Sequence, residues 1–390
     1  MLALKASDDI PDAPVSIRFI FVTVFSVHMM RNGPPKENYF NPGDQENTMA
    51  RALRAEPELW DLFSRREEYS PPFLDRHQRF GYYLSSNRDI MDPKVSRFLI
   101  EKGFETQYPD NKPFALCLTH DIDYVNYKVL RAANLYVDGK YTANQAMKMA
   151  FNKVSKRCNY LWNFKSTMDL EEKYGGKSTF FFMALEKGEI DHTYNIGKLK
   201  NEMRAINERG WEVGLHGGHD AYRDASKLKK EKGALESVLG RKVIGYRNHY
   251  LKFKVPDTWS TLKNAGFKYD SSLGYPGHVG YRNGMCHPFK PHDLNAKRTI
   301  DILELPLNIM DATFDEYMKT DMSTSWELSK RLIDITHRHR GVLTIVWHNS
   351  SMMNEWLELY EKILKYSHEK GAWITSGEEI YRNAVGESSG

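Results

Sequence analysis

The sequence predicts an α/β barrel of alternating strands and helices, preceded by a separate ancillary region. Two observations carry this. From residue 114 onward, short apolar runs alternate with amphipathic, charged stretches, and a glycine follows most of those stretches where a helix C-cap belongs. The pattern of strand, helix, glycine and strand then repeats often enough for roughly seven or eight units around a parallel sheet. No G-x-G-x-x-G follows the first run, which weighs against an open dinucleotide-binding sheet.

Residues 1–112 form the ancillary region. Its one long apolar run, 17–30, contains Arg18 and His28 and is too short for a membrane span. Asp8, Asp9 and Asp12 precede it, unlike a signal peptide, so a buried strand is expected there and a cytoplasmic location for the chain. Turn-rich sequence at 32–35 and 41–43 leads into helical patches at 49–53 and 58–66. The proline-containing segment 108–113 marks the boundary. The barrel follows over 113–380, with a tail at 381–390. Strands are expected at 114–119, 178–184, 211–215, 243–246, 267–270, 300–305, 341–347 and 372–375. Helices are expected at 198–209, 226–239, 256–265, 325–340 and 354–370, ahead of Gly210, Gly240, Gly266, Gly341 and Gly371. One unit is irregular. An insertion at about 124–177, rich in tyrosine, reads as a helical excursion over the barrel mouth, either a lid or packing.

Composition excludes several classes. Of 390 residues 27% are charged and 41% hydrophobic, an ordinary globular balance. A net charge of +4 does not argue for nucleic acid, and the basic run 227–232 reads as a solvated helix face. The three cysteines, Cys117, Cys158 and Cys286, are far apart, so neither a disulfide framework nor a cysteine zinc knuckle is expected.

In a parallel barrel the chemistry sits just past the C-terminal ends of the strands. Those positions hold His120, Asp121 and Asp123; His216, His219 and Asp220; Arg247, Asn248, His249 and Tyr250; and His348. The ends near Ala184 and Leu305 look bland. Asp121 and Asp123, two apart on extended chain, face one side and would repel unless a cation or an arginine lay between them. His216 and His219 flank Gly217-Gly218 and converge on one ion if the loop folds back. With a carboxylate they make a three-ligand catalytic set. Arg247 is suited to holding a carboxylate ionised, and His348 to acting as a general acid. The combination suits attack of water on an acyl carbon followed by protonation of a departing amine. No G-x-S-x-G or P-loop occurs.

Thr119-His120-Asp121-Ile122-Asp123 resembles the first motif of the polysaccharide deacetylases, carbohydrate esterase family 4. His216-Gly217-Gly218-His219 resembles their metal-binding motif, Arg247-Asn248-His249-Tyr250 their third, and the apolar strand ending in His348 their last. The resemblance covers about 113–380. It implies a distorted (β/α)7 barrel with Asp121 as catalytic base, Asp123 and His216 as metal ligands, and Arg247 orienting the base. It further implies the Tyr250 backbone N–H as an oxyanion donor, His348 as acid, and a divalent cation with zinc the expected ion. The family spaces its histidines four apart. Here they are three apart; His219 is the expected third ligand, with Asp220 or His249 as alternatives. The expected activity is removal of N-acetyl from an amino sugar of a glycan or its precursor. The alternatives are hydrolysis of another C–N bond, in a small amide or cyclic imide, and a catalytically silent glycan-binding relic. Tyr275, Tyr281 and Phe289 are placed to rim a glycan groove.

Overall fold

The computed structural model describes residues 37–38, 45–126, 137 and 159–387. The run at 17–30, most of the insertion, Cys158 and residues 388–390 lie outside them.

Nine parallel strands build the main sheet: β1 (Ala115–Ile122), β2 (Thr179–Phe182), β3 (Glu212–Gly217), β4 (Gly245–Asn248), β5 (Tyr269–Asp270), β6 (Leu303–Glu304), β7 (Leu307–Met310), β8 (Val342–Val346) and β9 (Trp373–Thr375). The order is β6-β5-β4-β3-β2-β1-β8-β7, with β9 on the lower half of β1. The two edge strands, β6 and β7, are consecutive in the chain and joined only by Leu305-Pro306. A link that short spans about 10 Å at most, so the sheet must curl until its edges meet. The (β/α)7-type barrel therefore closes through the chain itself. Its distortion has a second source in β1, whose lower half pairs with β9 at Ala115–Cys117 and whose upper half pairs with β2 at Thr119–Ile122.

Strand alternation sorts the core. Ala115 and Cys117 pack inside the barrel with Phe181, Tyr269 and Val342. Leu116 and Leu118 point outward against helices α8 (Met322–Arg338) and α9 (Asn354–Glu369), meeting Leu332, Ile333, Ile363 and Leu364. Each such leucine contributes about 1.5–3 kcal/mol by burial. The same period of two turns Thr119 and Asp121 inward.

All eight expected barrel strands are present, within a few residues. A ninth, β7, was not expected. Its run begins directly after Pro306 and merges with the preceding apolar run. Four of the five expected C-cap glycines have positive φ. Gly341 does not: Arg340 takes the left-handed position, and a Cβ at Gly341 would collide with the backbone of Cys286. Helix α6 (Ala225–Leu239), capped by Asp224, carries the basic run 227–232. That run is not wholly solvated, because Glu231 and Lys232 are buried, the latter donating to the Ala265 carbonyl at 3.0 Å. Cys117 and Cys286 are buried free thiols. Among the described residues no helix is long and apolar enough to cross a membrane.

The ancillary region supplies α1 (Gln45–Arg54), α2 (Pro57–Ser64) and α3 (Lys94–Glu101) and is tied tightly to the barrel. Glu68 is clamped between Arg65 at 2.7 Å and Arg282 at 2.5 Å, all three buried. The Gly284 carbonyl accepts from the N–H groups of Val95 and Ser96 at 3.0 and 3.1 Å. Tyr275 and Phe289 are spent on this packing, and Tyr281 packs against α8, its hydroxyl 2.7 Å from Thr336 Oγ1. All are at most 5% exposed, so they form no open rim.

Candidate functional site

Asp121, in β1, and Asp123, one residue past its end, share the inward face. His216 comes from the end of β3, Arg247 from β4 and His249 from just beyond β4. The inward alternation that places Arg247 also places His249, two residues on.

Asp123, His216 and His249 each offer a ligand atom within 4.8 Å of the others. The Asp123 Oδ1 lies 3.2 Å from His216 Nε2 and 3.6 Å from His249 Nδ1. That oxygen is buried and has no hydrogen-bond partner, which is costly unless a cation satisfies it. The other nitrogen of His216 is accounted for: Nδ1 is 3.2 Å from the Arg247 carbonyl, an outer partner that fixes the tautomer and aims Nε2 at a metal. His249 Nε2 faces the Asp191 carboxylate at 3.8 Å, beyond a hydrogen bond. Burial holds the His249 pKa down at about 3, so its ring is neutral and has a lone pair to give. Burial works against ionisation of Asp123, but His249, His216 and His348 overcome it and leave the carboxylate well below its ordinary value. Burial also disfavours a charged His216, yet Asp121 and Asp123 raise its pKa, so a proton competes with a metal for that ring. One carboxylate and two imidazoles form a donor set that fits a borderline divalent cation such as zinc.

His219 is not part of this cluster. Gly217 continues β3 in extended conformation instead of folding back, and a Cβ there would strike the Tyr246 hydroxyl. Gly218 donates to Glu231 at 2.8 Å. The chain is thereby carried away from the metal-binding face. His219 lies 3.1 Å from the Lys252 ammonium and 3.4 Å from Asp220, itself paired with Arg223 and Lys227. The expected third donor, His219, is thus replaced by His249, which the geometry gathers with Asp123 and His216.

Arg247 is fully buried. Its Nη1 donates to Thr119 Oγ1 at 2.6 Å and to Asp121 Oδ1 at 3.3 Å, while Nε and Nη2 donate to the Ser271 carbonyl and hydroxyl. A guanidinium fixed at four points holds Asp121 in one pose. Across the site, His348 Nε2 is 3.7 Å from Asp123 Oδ2, and its Nδ1 is 2.6 Å from Asp311. Burial favours the neutral ring, but Asp311 outweighs it and pushes the His348 pKa up to about 10. The ring is therefore protonated at neutral pH. Tyr250 adopts a left-handed conformation, φ 59° and ψ 12°.

Two groups escaped sequence reasoning. Asp311 follows β7, the strand hidden behind Pro306. Asp191 lies in the irregular loop after β2, also at φ 66°, and no periodic signal marks it. His120, by contrast, points outward to Glu171 at 2.7 Å and Tyr360 at 3.3 Å and ties β1 to its helices.

No protein-family model matches the chain, and no curated protein matches it in sequence. Solved structures do share its fold. One from Mycobacterium smegmatis, described as a candidate polysaccharide deacetylase, aligns with a TM-score of 0.50 at 17% identity, covering 72% of this chain and 93% of that one. Looser matches include a family 4 carbohydrate esterase from Streptomyces lividans in complex with acetate (TM-score 0.36, 11% identity, 67% and 91% covered). Another is a CE4 family pseudoenzyme from Bacillus anthracis (TM-score 0.38, 11% identity, 70% and 66% covered).

Proposed function

We propose that this chain is a metal-dependent hydrolase that removes N-acetyl groups from an amino sugar of a glycan or glycan precursor. The observation that carries the reading is a three-donor cluster flanked by two different proton-transfer groups. Asp121 is held by Arg247 on one side, and His348, charged through Asp311, stands on the other. The fold shared with the mycobacterial structure, described as a candidate polysaccharide deacetylase, supports the glycan assignment.

Asp123, His216 and His249 would hold the cation, which when bound supplies Lewis acidity for water and the acetyl oxygen. Asp121 takes a proton from water as the water oxygen attacks the acetyl carbon. The developing oxyanion meets the Tyr250 backbone N–H. His348 gives its proton to the nitrogen as the C–N bond breaks, leaving acetate and a free amine. Opposed base and acid environments are what such a reaction needs. The narrow histidine spacing, which keeps the silent-relic reading open, is offset by His249.

The test is acetate release from N-acetylated amino sugars and oligosaccharides, with chelator and after return of zinc, cobalt or nickel. Chelator-sensitive release is expected. Metal-loaded protein that releases none, yet opens a small amide or cyclic imide, would transfer the assignment to that chemistry. Inactivity on every substrate would leave the relic.

A further inference from the structure

The ancillary region reaches into the site. Its turn at 75–79 is a self-contained knot: the Asp75 carboxylate accepts from the backbone N–H of His77 at 2.8 Å and of Arg79 at 2.9 Å, and from the Arg79 Nε at 2.8 Å. So held, Arg79 is only 4% exposed, and its Nη1 donates to the backbone carbonyl of Tyr250 at 2.8 Å. Both Nη atoms also lie 3.3 Å from the Tyr317 hydroxyl. Beside it, the His77 ring stacks on the Tyr250 ring, centroids 4.8 Å apart and 21° from parallel.

Tyr250 and Leu251 are consecutive non-glycine residues in the left-handed region, at φ 59° and 53°. Each such residue is strained and persists only when its surroundings over-determine it. The surroundings are visible on both sides. Asn248 Nδ2 donates to the His249 carbonyl at 2.9 Å and fixes the peptide ahead of Tyr250, the one that carries its N–H. Arg79 fixes the peptide behind it. A charge-assisted bond to a buried carbonyl is among the stronger hydrogen bonds and works against that strain. The His249 ring, a member of the donor cluster, lies against Tyr250 with centroids 3.9 Å apart.

We propose that Arg79 is a positioning residue for the reaction, supplied by the ancillary region to hold the turn His249–Leu251 in its strained form. It thereby aims both the His249 ring and the Tyr250 N–H. The ancillary region is on this account part of the active site and not an appendage. The second half of the proposal rests on the deacetylase reading.

The experiment compares full-length wild type with Arg79→Met and Arg79→Lys. It measures kcat and KM for acetate release, cobalt(II) affinity, and amide hydrogen exchange over 249–252. Arg79→Met is expected to lower kcat tenfold or more with KM within about threefold. It should speed exchange at 249–252 while exchange in β1 and β8 stays unchanged, and weaken cobalt binding severalfold. Arg79→Lys keeps one charged donor and should recover part of the kcat, and it carries the test alone if the methionine variant does not fold. Wild-type kcat with unchanged exchange overturns the proposal, as does a fall in melting temperature with kcat intact. If wild type itself releases no acetate, the deacetylase reading has failed. Exchange and cobalt affinity then decide the matter: both altered supports the positioning role, both unchanged overturns it.

Discussion

The two ends of β3 carry buried ionisable groups on the same inward face and use them in opposite ways. At its start Glu212 is buried in a hydrogen-bond network. Its oxygens accept from Thr179 Oγ1 at 2.5 Å, from the Tyr269 hydroxyl at 2.8 Å and from the Glu378 N–H at 2.7 Å. The turn into α10 (Gly377–Val385) packs over this end, with Gly377 N–H donating to Thr179. At the other end His216 looks onto Asp123 Oδ1, which is buried and unpartnered. One strand thus shows that burial of charge by itself says nothing about function. A carboxylate with both oxygens hydrogen-bonded is structural, whereas one with an unpartnered oxygen among imidazoles is suited to a cation.

The strongest way to break this contrast is at Asp121. Asp121→Asn keeps the shape and the Arg247 contact but removes the base. It should lower kcat for acetate release by about 10²–10⁴-fold, the usual share of general acid–base catalysis. Metal content should stay within twofold by elemental analysis. Near-full activity would remove Asp121 from the reaction.

Next in size is the comparison of His249→Ala with His219→Ala. The first removes a donor and should weaken zinc or cobalt binding by more than the roughly 10–100-fold that loss of an outer partner causes. The second leaves the cluster intact and should shift affinity by less than about threefold in isothermal titration. The reverse pattern would restore the His-x-x-His pairing.

That pair also marks where sequence reasoning reached its limit. Strand alternation and the glycine punctuation were enough to locate eight strands and the ends that bear Asp121, Asp123, His216, Arg247 and His348. The third donor was ambiguous because spacing within one loop was the signal at hand, while the observed cluster draws one residue from each of three strands. Whether Gly217-Gly218 turns back or runs on depends on Tyr246 and Glu231, distant in sequence. Asp311 was hidden for another reason. β6 and β7 abut across Pro306, so the expected strand stops at Leu305 and the run after the proline, too close to read as a separate strand, goes unassigned. The closure that makes the barrel also concealed the residue that charges His348.

A smaller effect tests that residue. His348→Ala should slow N-acetyl hydrolysis by about 10²-fold or more, and Asp311→Asn by about tenfold, since it lowers the charge and orientation of the ring without removing it. Both losses should shrink severalfold on an aryl acetate, whose phenolate leaves without a proton. Equal losses on both substrates, compared as kcat, would argue against His348 as the acid.

The opposite end of β3 should give the smallest effect on catalysis and a clear one on stability. Burial, reinforced by Glu378, raises the Glu212 pKa to about 7 despite its hydrogen bonds. The folded state therefore binds this proton more tightly than the unfolded chain, whose glutamate titrates near its ordinary value. Stability from this group is fully present below that value and is lost as pH rises through about 7, a difference of the order of 3 kcal/mol. Glu212→Gln cannot titrate, so its unfolding free energy in urea should fall less between pH 5 and pH 8 than that of wild type, with kcat unchanged. An identical pH slope in the two proteins would mean that Glu212 keeps its charge through its closed network. The two ends of the strand would then differ in hydrogen-bond completeness alone and not in protonation.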